Sequence, residues 1–504
     1  MAYSRPGVYI SERLLPPVLT GGVTANAAGA VVAPFAQGPE TVTLVNSWYE
    51  FTKYFGGYNA SYPATFQVGA YFANGGKELY VQRLLKSDAV AATISLVDSG
   101  STARVTVTSK NAGTDGNNLR VVVTAGSVAS TYTLTLLKES GVANSITDDI
   151  LLERYENVVF DDAASSDYGP TVINTVSPNI SVAVIAGYAG QNITSATYPL
   201  TSGTNGTTAT STDYTNYKSS GSSVFERFSP LDRPLVVFLP GIWAALASGE
   251  VATIDAATSW AASNNGFVVI ETAEALTVAN AITAAASLTD TSFGAVYYPH
   301  VYIADPVGRG TGSLRLIGPS GAVAGLYMAT DASRGVFKAP AGIQTTVANV
   351  VAVEKSFTST ELDSMNSSTS PVNPLRQIPG AGLSVMGART LLQDGTANKY
   401  VNMRRSLIYI RKQLNNNTEF AIFENNDEAL WSRLRSTLNA FLTEYKNQGG
   451  LRGATNAQAF FIKCDAENNT ATTIANGEVH IQVGVALQYP SEFIVIDLSQ
   501  KTIN

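Results

Sequence analysis

Histidine and cysteine, on which much nucleophilic and metal-assisted catalysis depends, are almost absent from this 504-residue chain. It contains two histidines, His300 and His480, and one cysteine, Cys464. A Ser-His-Asp site needs an imidazole that accepts the serine proton. We expect His300 to lie inside a strand after a Tyr-Tyr-Pro sequence, and His480 to lie on the exposed face of an alternating strand. The sequence therefore predicts no catalytic centre.

Other short motifs of catalysis or nucleotide binding are also incomplete. The sequence GPSGA at 318–322 lacks the final glycine of a nucleophile elbow. The sequence GRGTG at 308–312 lacks the last glycine of a dinucleotide loop, and NGGK at 74–77 lacks the other residues of a phosphate loop, so both are predicted to be turns. One cysteine and two histidines cannot build a closed zinc site. Cys464 is predicted to be a buried thiol, and we expect no metal, no cofactor and no enzyme activity.

The low charge of the chain limits its partners. Charged residues make up 14% of the sequence, against roughly 25% in ordinary soluble domains, and the net charge is −7. A negative balance argues against direct nucleic-acid binding, because phosphates are held by basic surfaces. A neutral surface is expected for a subunit buried against its neighbours, and also for a robust extracellular β protein. We find no signal peptide and no transmembrane segment, so we expect a protein kept in the cytoplasm without membrane insertion.

Residues 398–452 differ from the rest of the chain, with nine Lys/Arg against five Asp/Glu. Apolar residues recur there every three or four positions, which predicts an amphipathic helix. Its apolar stripe comprises Tyr400, Met403, Leu407, Ile410 and Leu414. Arg404 and Arg411 fall beside this stripe, whereas Arg405 and Lys412 point away from it. Such a basic face indicates an acidic partner, or alternatively a solvated helix face with intrahelical ion pairs.

A second helix is predicted within 425–450. Asn425 and Glu428 fit a capping box, and two glycines at 449 and 450 are a stop signal. The expected buried stripe comprises Leu430, Trp431, Leu434, Leu438, Phe441, Leu442 and Tyr445.

Changes of sequence pattern along the chain predict a multidomain α+β protein. It would consist of an α/β core domain with a parallel sheet, an inserted antiparallel β domain, and a C-terminal α+β domain with extended N- and C-terminal arms. The predicted segments are 1–22 (N-terminal arm), 23–87 (N-terminal part of the core), 88–224 (inserted β-rich outer domain), 225–380 (α/β domain), 381–487 (C-terminal domain) and 488–504 (C-terminal arm).

Local patterns support each part of this division. Prolines at 6, 16 and 17 exclude a continuous helix or a central strand in the N-terminal arm. Apolar and polar residues alternate in the insertion, which is typical of antiparallel strands with one solvated face. Its end, 201–216, is rich in Ser, Thr and Gly and is predicted to be an exposed loop.

The elements of the core can be placed more closely. In the first part we expect strands at 29–32 and 78–84 and helices at 47–55 and 66–74. In the α/β domain we expect strands at 234–240, 267–272 and 295–304 and helices at 249–263 and 274–287. Strands that alternate with helices at this spacing predict a parallel sheet covered by helices on its faces.

The last strand is apolar on both faces, since Phe493 and Val495 alternate with Ile494 and Ile496. A strand of this kind must be covered on both sides, yet only a short tail follows it. It could fill a position in the sheet of its own subunit. Alternatively, it could add to a sheet of a neighbouring subunit, by β-augmentation.

Four sequence blocks follow one another near the C-terminus: RRSLIYIRKQL (404–414), FENNDEALWSRLR (423–435), AFFIKCD (459–465) and SEFIVIDL (491–498). Further blocks are PGVYI (6–10), YYPHVYIADP (297–306), PSGAVAG (319–325), RGVFKAP (334–340) and MGARTL (386–391). Together they resemble the contractile tail sheath proteins of bacteriophages and of related contractile injection systems. The resemblance is clear at both ends and across 225–400, and it is thin between 88 and 224.

The resemblance implies a structural subunit of a contractile tail sheath. Such subunits polymerise as hexameric rings around a tail tube and contract to drive the tube through a target cell envelope, without nucleotide hydrolysis. The implied partners are further copies of this chain, the tail tube protein, and the baseplate and tail terminator proteins. The implied location is the virion tail, assembled in the host cytoplasm.

The resemblance also assigns roles to particular residues. In the sheath family both arms join neighbouring subunits, so the strands formed by Val8, Tyr9 and Ile10 and by Phe493, Ile494, Val495 and Ile496 are expected to pair between subunits. Arg405 and Lys412 are expected to be exposed and to face the tube, with Arg435 and Lys446 as weaker candidates.

Alternatives remain at the level of the sequence. A bacteriophage tail is not distinguished from a non-phage injection system or a bacteriocin. Another β-rich structural protein, such as a tail tube or surface-layer subunit, would share the neutral composition, although tube subunits are shorter and lack the helix pair. A secreted hydrolase is disfavoured, because it would need the missing histidine site and a signal peptide.

Overall fold

A computed structural model of the chain describes residues 27–139, 149–188, 193–245, 249–308, 310, 312–367, 369–392, 394 and 396–492. Its first segment supplies three strands and two helices to the centre of the fold. In chain order these are β1 Ala28–Ala33, β2 Thr43–Val45, α1 Trp48–Phe55, α2 Ala64–Ala73 and β3 Leu79–Arg83. The two strands and two helices predicted in this segment are confirmed, and β2 is additional.

The inserted segment folds as two antiparallel sheets. Its elements are β4 Ala91–Val97, β5 Ala103–Ala112, β6 Leu119–Ala125, β7 Tyr132–Lys138, β8 Ile150–Val158, α3 Gly169–Val176, β9 Ile180–Val184 and β10 Ala196–Pro199. The strand orders are β4-β5-β9 and β10-β6-β7-β8. Buried side chains of both sheets, such as Val105 and Val107 on β5 and Val121 on β6, form one shared apolar core. The predicted antiparallel β structure is confirmed.

The α/β region follows the insertion. Its elements are α4 Ser211–Thr215, β11 Leu235–Phe238, α5 Ile242–Ala245, α6 Glu250–Ser263, β12 Gly266–Glu271, α7 Val278–Ala286, β13 Gly294–Tyr298, β14 Val301–Ala304, β15 Leu314–Ile317 and α8 Ser320–Arg334.

The remaining elements complete the sheet and form the C-terminal region. They are β16 Ala352–Val353, α9 Ser359–Ser367, β17 Val372–Ile378, β18 Gly382–Val385, α10 Val401–Thr418, α11 Glu428–Asn447, α12 Asn456–Ala459, β19 Phe460–Lys463, α13 Ala471–Ala475 and β20 Gln482–Val485.

An eight-stranded sheet of order β18-β17-β13-β12-β11-β1-β3-β2 forms the centre of the fold. The strands from β17 to β3 run parallel, and only the edge strands β18 and β2 are antiparallel to their neighbours. Along β11, Val236 and Phe238 enter the core formed with α1, α2 and α8. Leu235 and Val237 enter the opposite core, formed with α4, α6, α7 and α9. Each fully buried side chain of this kind stabilises the fold by ~1.5–3 kcal/mol. The predicted parallel α/β sheet is confirmed.

Two expectations for this region are wrong. The predicted strand 295–304 is divided into β13 and β14, because Pro299 has no backbone N–H to donate to a ladder. His300 therefore lies between the two strands and not inside one. The second half of the predicted exposed loop 201–216 forms α4, where Tyr214 is buried in the α/β core.

Arg83, at the end of β3, joins the central sheet to the insertion. Its side chain is 1% exposed. The guanidinium donates to the carbonyl oxygens of Gly38 at 2.9 Å and Ala112 at 2.8 Å, and to Asn205 Oδ1 at 3.1 Å. Ala112 ends β5, and Asn205 follows the last strand of the insertion, so one side chain ties both to the sheet. The predicted domain boundaries themselves stay a prediction.

We expect Arg83→Met to lower the free energy of unfolding of the monomer by about 3 kcal/mol or more. The reason is that each buried carbonyl left without a donor costs roughly 1–3 kcal/mol. Arg154→Met is the matched control, because Arg154 on β8 is 58% exposed and pairs with Glu156 at the surface. The control should change stability by less than ~0.5 kcal/mol. Chemical denaturation of both variants measures the difference, and equal losses would contradict the role given to Arg83.

Candidate assembly site

The predicted helix pair is present as α10 and α11, and it encloses a small apolar core with β19 and β20. From the predicted stripe of α10, Met403 and Ile410 are buried, and Tyr400, Leu407 and Leu414 are half-buried against the same core. On α11, all seven predicted positions are buried except Phe441, which is half-buried. Both predicted stripes are confirmed.

The predicted N-terminus of the second helix is wrong by two residues. Asp427, and not Asn425, caps α11, because its carboxylate accepts the backbone N–H of Leu430 at 2.9 Å. Asn426, between the predicted and the observed cap, forms two other hydrogen bonds with its side-chain amide. Its oxygen accepts the indole N–H of Trp431 at 2.8 Å, and its nitrogen donates to the carbonyl of Glu478 at 2.9 Å. The turn before α11 is thereby fixed to the helix and to the segment before β20.

The expectation that Arg405 is exposed is wrong. Arg405 is 4% exposed, and its guanidinium forms a bidentate ion pair with the buried carboxylate of Asp331 on α8. The contact from Nη1 to Oδ1 is 2.8 Å long. The guanidinium also lies over the ring of Tyr327, 4.7 Å from its centre. Burial lowers the pKa of Arg405, but the charge and hydrogen bonds of Asp331 outweigh that effect and raise the pKa above its usual value.

Arg405 is buried because α10 packs against apolar cores on two of its faces, whereas the sequence indicated one apolar face. Met403 and Ile410 face the core of the C-terminal region, whereas Val401 and Ile408 belong to the core of the central sheet. Arg405 points away from the first face and therefore into the second.

Lys412 is also not exposed, with 7% of its surface accessible. Its ammonium donates to Asp232 Oδ2 at 2.7 Å, in the turn before β11. Two turns earlier, Arg405 is held by Asp331 on α8, and Arg411, next to Lys412, donates to the side chain of Asn265 before β12. The basic face predicted for contact with a partner is therefore used to attach α10 to the α/β region.

The two weaker candidates are half-buried. Arg435 pairs with Glu428 at 2.9 Å and also donates to the carbonyl of Cys464. Lys446 donates to Asn456 Oδ1 at 3.2 Å. Contact of Arg435 and Lys446 with a tube stays a prediction.

The C-terminal region contains a sheet of only two strands. Strands β19 and β20 pair antiparallel, from Phe460 opposite Val485 to Lys463 opposite Gln482, and no third strand joins them in the part of the chain that the structure describes. Phe461 on β19 is 53% exposed. Unpaired edges present rows of N–H and C=O groups that can template a further strand. The sequence predicted terminal strands that add to a neighbouring sheet, and that addition stays a prediction; it did not indicate that β19 and β20 form a sheet of two strands.

The arm residues Val8, Tyr9 and Ile10, and Phe493 to Ile496, lie outside the described residues. The described chain ends at Glu492, whose carboxylate forms a two-pronged ion pair with Arg389 at 2.7 and 3.0 Å. The start of the C-terminal arm is thus fixed beside the N-terminus of α10, where Asn402 donates to the carbonyl of Gln488 at 3.1 Å.

Residues 393–501 match the family model of the phage tail sheath C-terminal domain. The C-terminal region is therefore similar to the C-terminal domains of phage tail sheath proteins. The matched segment contains both helices, the two-stranded sheet and the start of the arm. A tail sheath protein of Vibrio phage KVP40 is 27% identical over 126 residues, which is 25% of this chain and 18% of that relative. The match therefore spans less than a fifth of the phage protein.

Solved sheath structures share the fold over nearly the whole chain. The sheath tail protein Lin1278 from Listeria innocua aligns with a TM-score of 0.62 at 14% identity, over 92% of this chain and 99% of its own. The PVC sheath complex of an extracellular contractile injection system, in its contracted state, aligns with a TM-score of 0.58 at 20% identity, over 99% of both chains. The predicted resemblance to contractile tail sheath proteins and the multidomain α+β fold class are confirmed.

The two histidines and the cysteine were the candidate catalytic or metal-binding side chains, and the structure shows the environment of each. His300 is 8% exposed, with Nε2 3.0 Å from the carbonyl of Thr272, and His480 is exposed beside Glu478. Cys464 is buried as predicted, and burial raises the pKa of its thiol. The described residues contain no cluster of three metal-ligating side chains. They also form no helix with the length and hydrophobicity needed to span a membrane.

The buried pair of Arg405 and Asp331 gives a testable prediction for the attachment of α10 to α8. Arg405→Met leaves the carboxylate of Asp331 buried without its cation, and we expect a loss of about 3–5 kcal/mol in the free energy of unfolding. Adding Asp331→Leu removes the stranded charge and should recover most of that loss. Denaturation of the two single variants and the double variant measures the coupling energy. A coupling near zero would show that the two side chains do not act together.

Proposed function

We propose that this chain is the repeating subunit of a contractile sheath. Its copies form hexameric rings that stack around a tail tube, and the rings contract in sequence to drive the tube through the envelope of a target cell. The two-stranded sheet β19–β20, inside a region matched to the sheath C-terminal domain, carries this proposal. Among the described residues no third strand pairs with β19 or β20, and the edges of this sheet are the proposed sites for the arms of neighbouring subunits.

The arms supply strands for those edges. Residues 1–26 and 493–504 lie outside the described chain at its two ends, and the apolar stretch from Phe493 to Ile496 needs cover on both faces. A strand added to an edge gains a few backbone hydrogen bonds at a net ~1 kcal/mol each and buries two or three side chains at ~1.5–3 kcal/mol each. The entropy of ordering the arm reduces this gain. A single link is therefore weak, and links repeated in every subunit make a durable lattice.

The contacts with the tube are proposed to be weak and numerous. Arg435 and Lys446, both half-buried on α11, remain the cations assigned to this contact. Partly exposed ion pairs contribute only ~0–1 kcal/mol each. Many such contacts hold the sheath in register with the tube, and each is easily released when the sheath widens. The other proposed partners are the baseplate and tail terminator proteins at the two ends of the polymer.

The surrounding particle is either a phage tail or a headless injection system. Both fit the comparisons, because the sequence relative is a phage tail sheath protein and the PVC sheath of an injection system shares the fold. Negative-stain imaging of particles purified from cells that produce this chain distinguishes them by the presence or absence of a DNA-filled head. Particles without any tubular sheath that contains this chain would overturn the proposed function.

Val495→Pro tests the proposed arm. Proline donates no backbone N–H, so it should prevent the terminal strand from adding to a sheet while it leaves the described fold intact. We expect a soluble, folded subunit that forms no tubes in negative-stain images. Gln500→Pro, beyond the apolar stretch, is the matched control and should assemble normally. Normal tubes from Val495→Pro would show that this strand does not link subunits.

A further inference from the structure

The loop between α10 and α11 exposes an apolar tip. Phe423 is 104% exposed and the preceding Ile422 is 66% exposed, and no large apolar side chain among the described residues is more exposed than Phe423. The φ angle of Phe423 is +66°, in the left-handed region that bulky residues rarely adopt. The subunit thus holds an aromatic side chain in a strained conformation and gains no burial from it. Strain of this kind is typical of functional positions.

The tip is held in place by the capping turn described above. Asn426 is bonded both to the indole of Trp431 and to the carbonyl of Glu478, so the loop is fixed to a buried aromatic residue and to a second segment. A preorganised loop loses little conformational entropy when it binds.

The loop that carries the tip is acidic in sequence, although Arg433 lies over the ring of Phe420 and Arg435 pairs with Glu428. Residues 419–428 contain four carboxylates and no lysine or arginine. All four are exposed: Glu419, Glu424, Asp427 and Glu428. The chemistry of this loop therefore fits an apolar pocket with a basic rim.

This chain has such a pocket. A cleft of about 680 Å³ lies between the end of α8, helix α9, strand β17 and the start of the C-terminal arm. Phe337 and Met386 contribute apolar surface, and Arg334, Lys338 and Arg376 line the cleft with positive charge. In the described part of the chain none of the three forms an ion pair with a carboxylate.

The positive charge of the cleft is not neutralised from within. Asp363 is a single carboxylate among the three cations, and Glu492 is already paired with Arg389. Burial, and then the neighbouring Arg334, lower the pKa of Lys338. The lowered pKa is consistent with a cation that has no counter-charge in the isolated subunit.

The tip cannot fill the cleft of its own subunit. Asn402, at the start of α10, lines the cleft, and the tip follows the other end of that helix. An 18-residue helix is about 27 Å long at ~1.5 Å per residue. The two surfaces therefore lie at opposite ends of a rigid element, and only another molecule can bring them together.

We propose that the tip Ile422–Phe423 of one subunit inserts into the basic cleft of a second copy of this chain. The contact joins two different surfaces, so it generates a ring or a helix and not a closed dimer. The inference rests on the proposed function, because it names one contact of the sheath polymer. It is separate from strand addition by the arms, since neither surface includes β19 or β20.

Disulfide cross-linking tests the contact directly. Phe423→Cys and Met386→Cys subunits are mixed before assembly and oxidised with copper phenanthroline. We expect at least ten-fold more disulfide-linked dimer from the mixture than from either variant alone. Mixing Tyr49→Cys with Met386→Cys is the matched control, because Tyr49 is 79% exposed but lies on α1. Cys464 is buried and does not compete.

Each outcome decides the proposal. Absence of the dimer in assembled tubes overturns it. A link from Met386→Cys to Ile494→Cys in place of Phe423→Cys also overturns it, by assigning the cleft to C-terminal arm residues. If the wild-type chain forms no tubes, the proposed function fails, and the cross-link in concentrated solution still decides whether tip and cleft meet.

A second variant separates assembly from folding. Phe423→Gly removes the side chain and relieves the left-handed strain, so the melting temperature of the monomer should stay the same or rise. We expect the yield of tubes to fall at least ten-fold, while Tyr49→Ala leaves it unchanged. Wild-type yield from Phe423→Gly would overturn the proposal.

Discussion

The ion pair between Arg405 and Asp331 is the contact on which the arrangement of the C-terminal region depends. Both groups are almost fully buried, and together they join α10 to α8 across the boundary between two apolar cores. A buried pair adds little to stability compared with apolar replacements, but removal of one partner is costly because the other charge is stranded. The pair therefore fixes which face of α10 meets the central sheet, and Lys412 fixes the far end of the same helix.

A rigid α10 has consequences for the rest of the domain. Its N-terminus lies beside the start of the C-terminal arm, and its C-terminus leads into the strained turn before α11. The two-stranded sheet packs on the other side of the helix pair. The edges of that sheet, the root of the arm and the exposed tip are thus held at fixed positions relative to the central sheet. Fixed positions allow a force on one subunit to be transmitted to the next through the proposed arms.

The insertion is connected differently. It has its own apolar core, and Arg83 ties it to β3 through the backbone carbonyl of Ala112, at the end of β5, and the side chain of Asn205, beyond β10. The contact to the carbonyl of Ala112 places no demand on a side chain of the insertion, and Asn205 is the single side chain that the attachment through Arg83 requires. A β domain held in this way can differ in sequence while its attachment stays the same, which agrees with the thin resemblance to sheath proteins between 88 and 224.

The sequence alone determined the elements whose signals are local. The apolar period of α10 and α11, the alternation of the inserted strands and the strand–helix order of the core follow from neighbours in the chain, and the structure has them where they were expected. Only the tertiary structure decided which basic side chains of α10 are buried and which carboxylates they pair with. Arg405 meets Asp331, 74 positions away, and Lys412 meets Asp232, 180 positions away. The spacing of apolar residues along a helix shows which face is apolar. It does not show that a carboxylate far away in the sequence will pair with a cation on the opposite face, or that this face will also be buried.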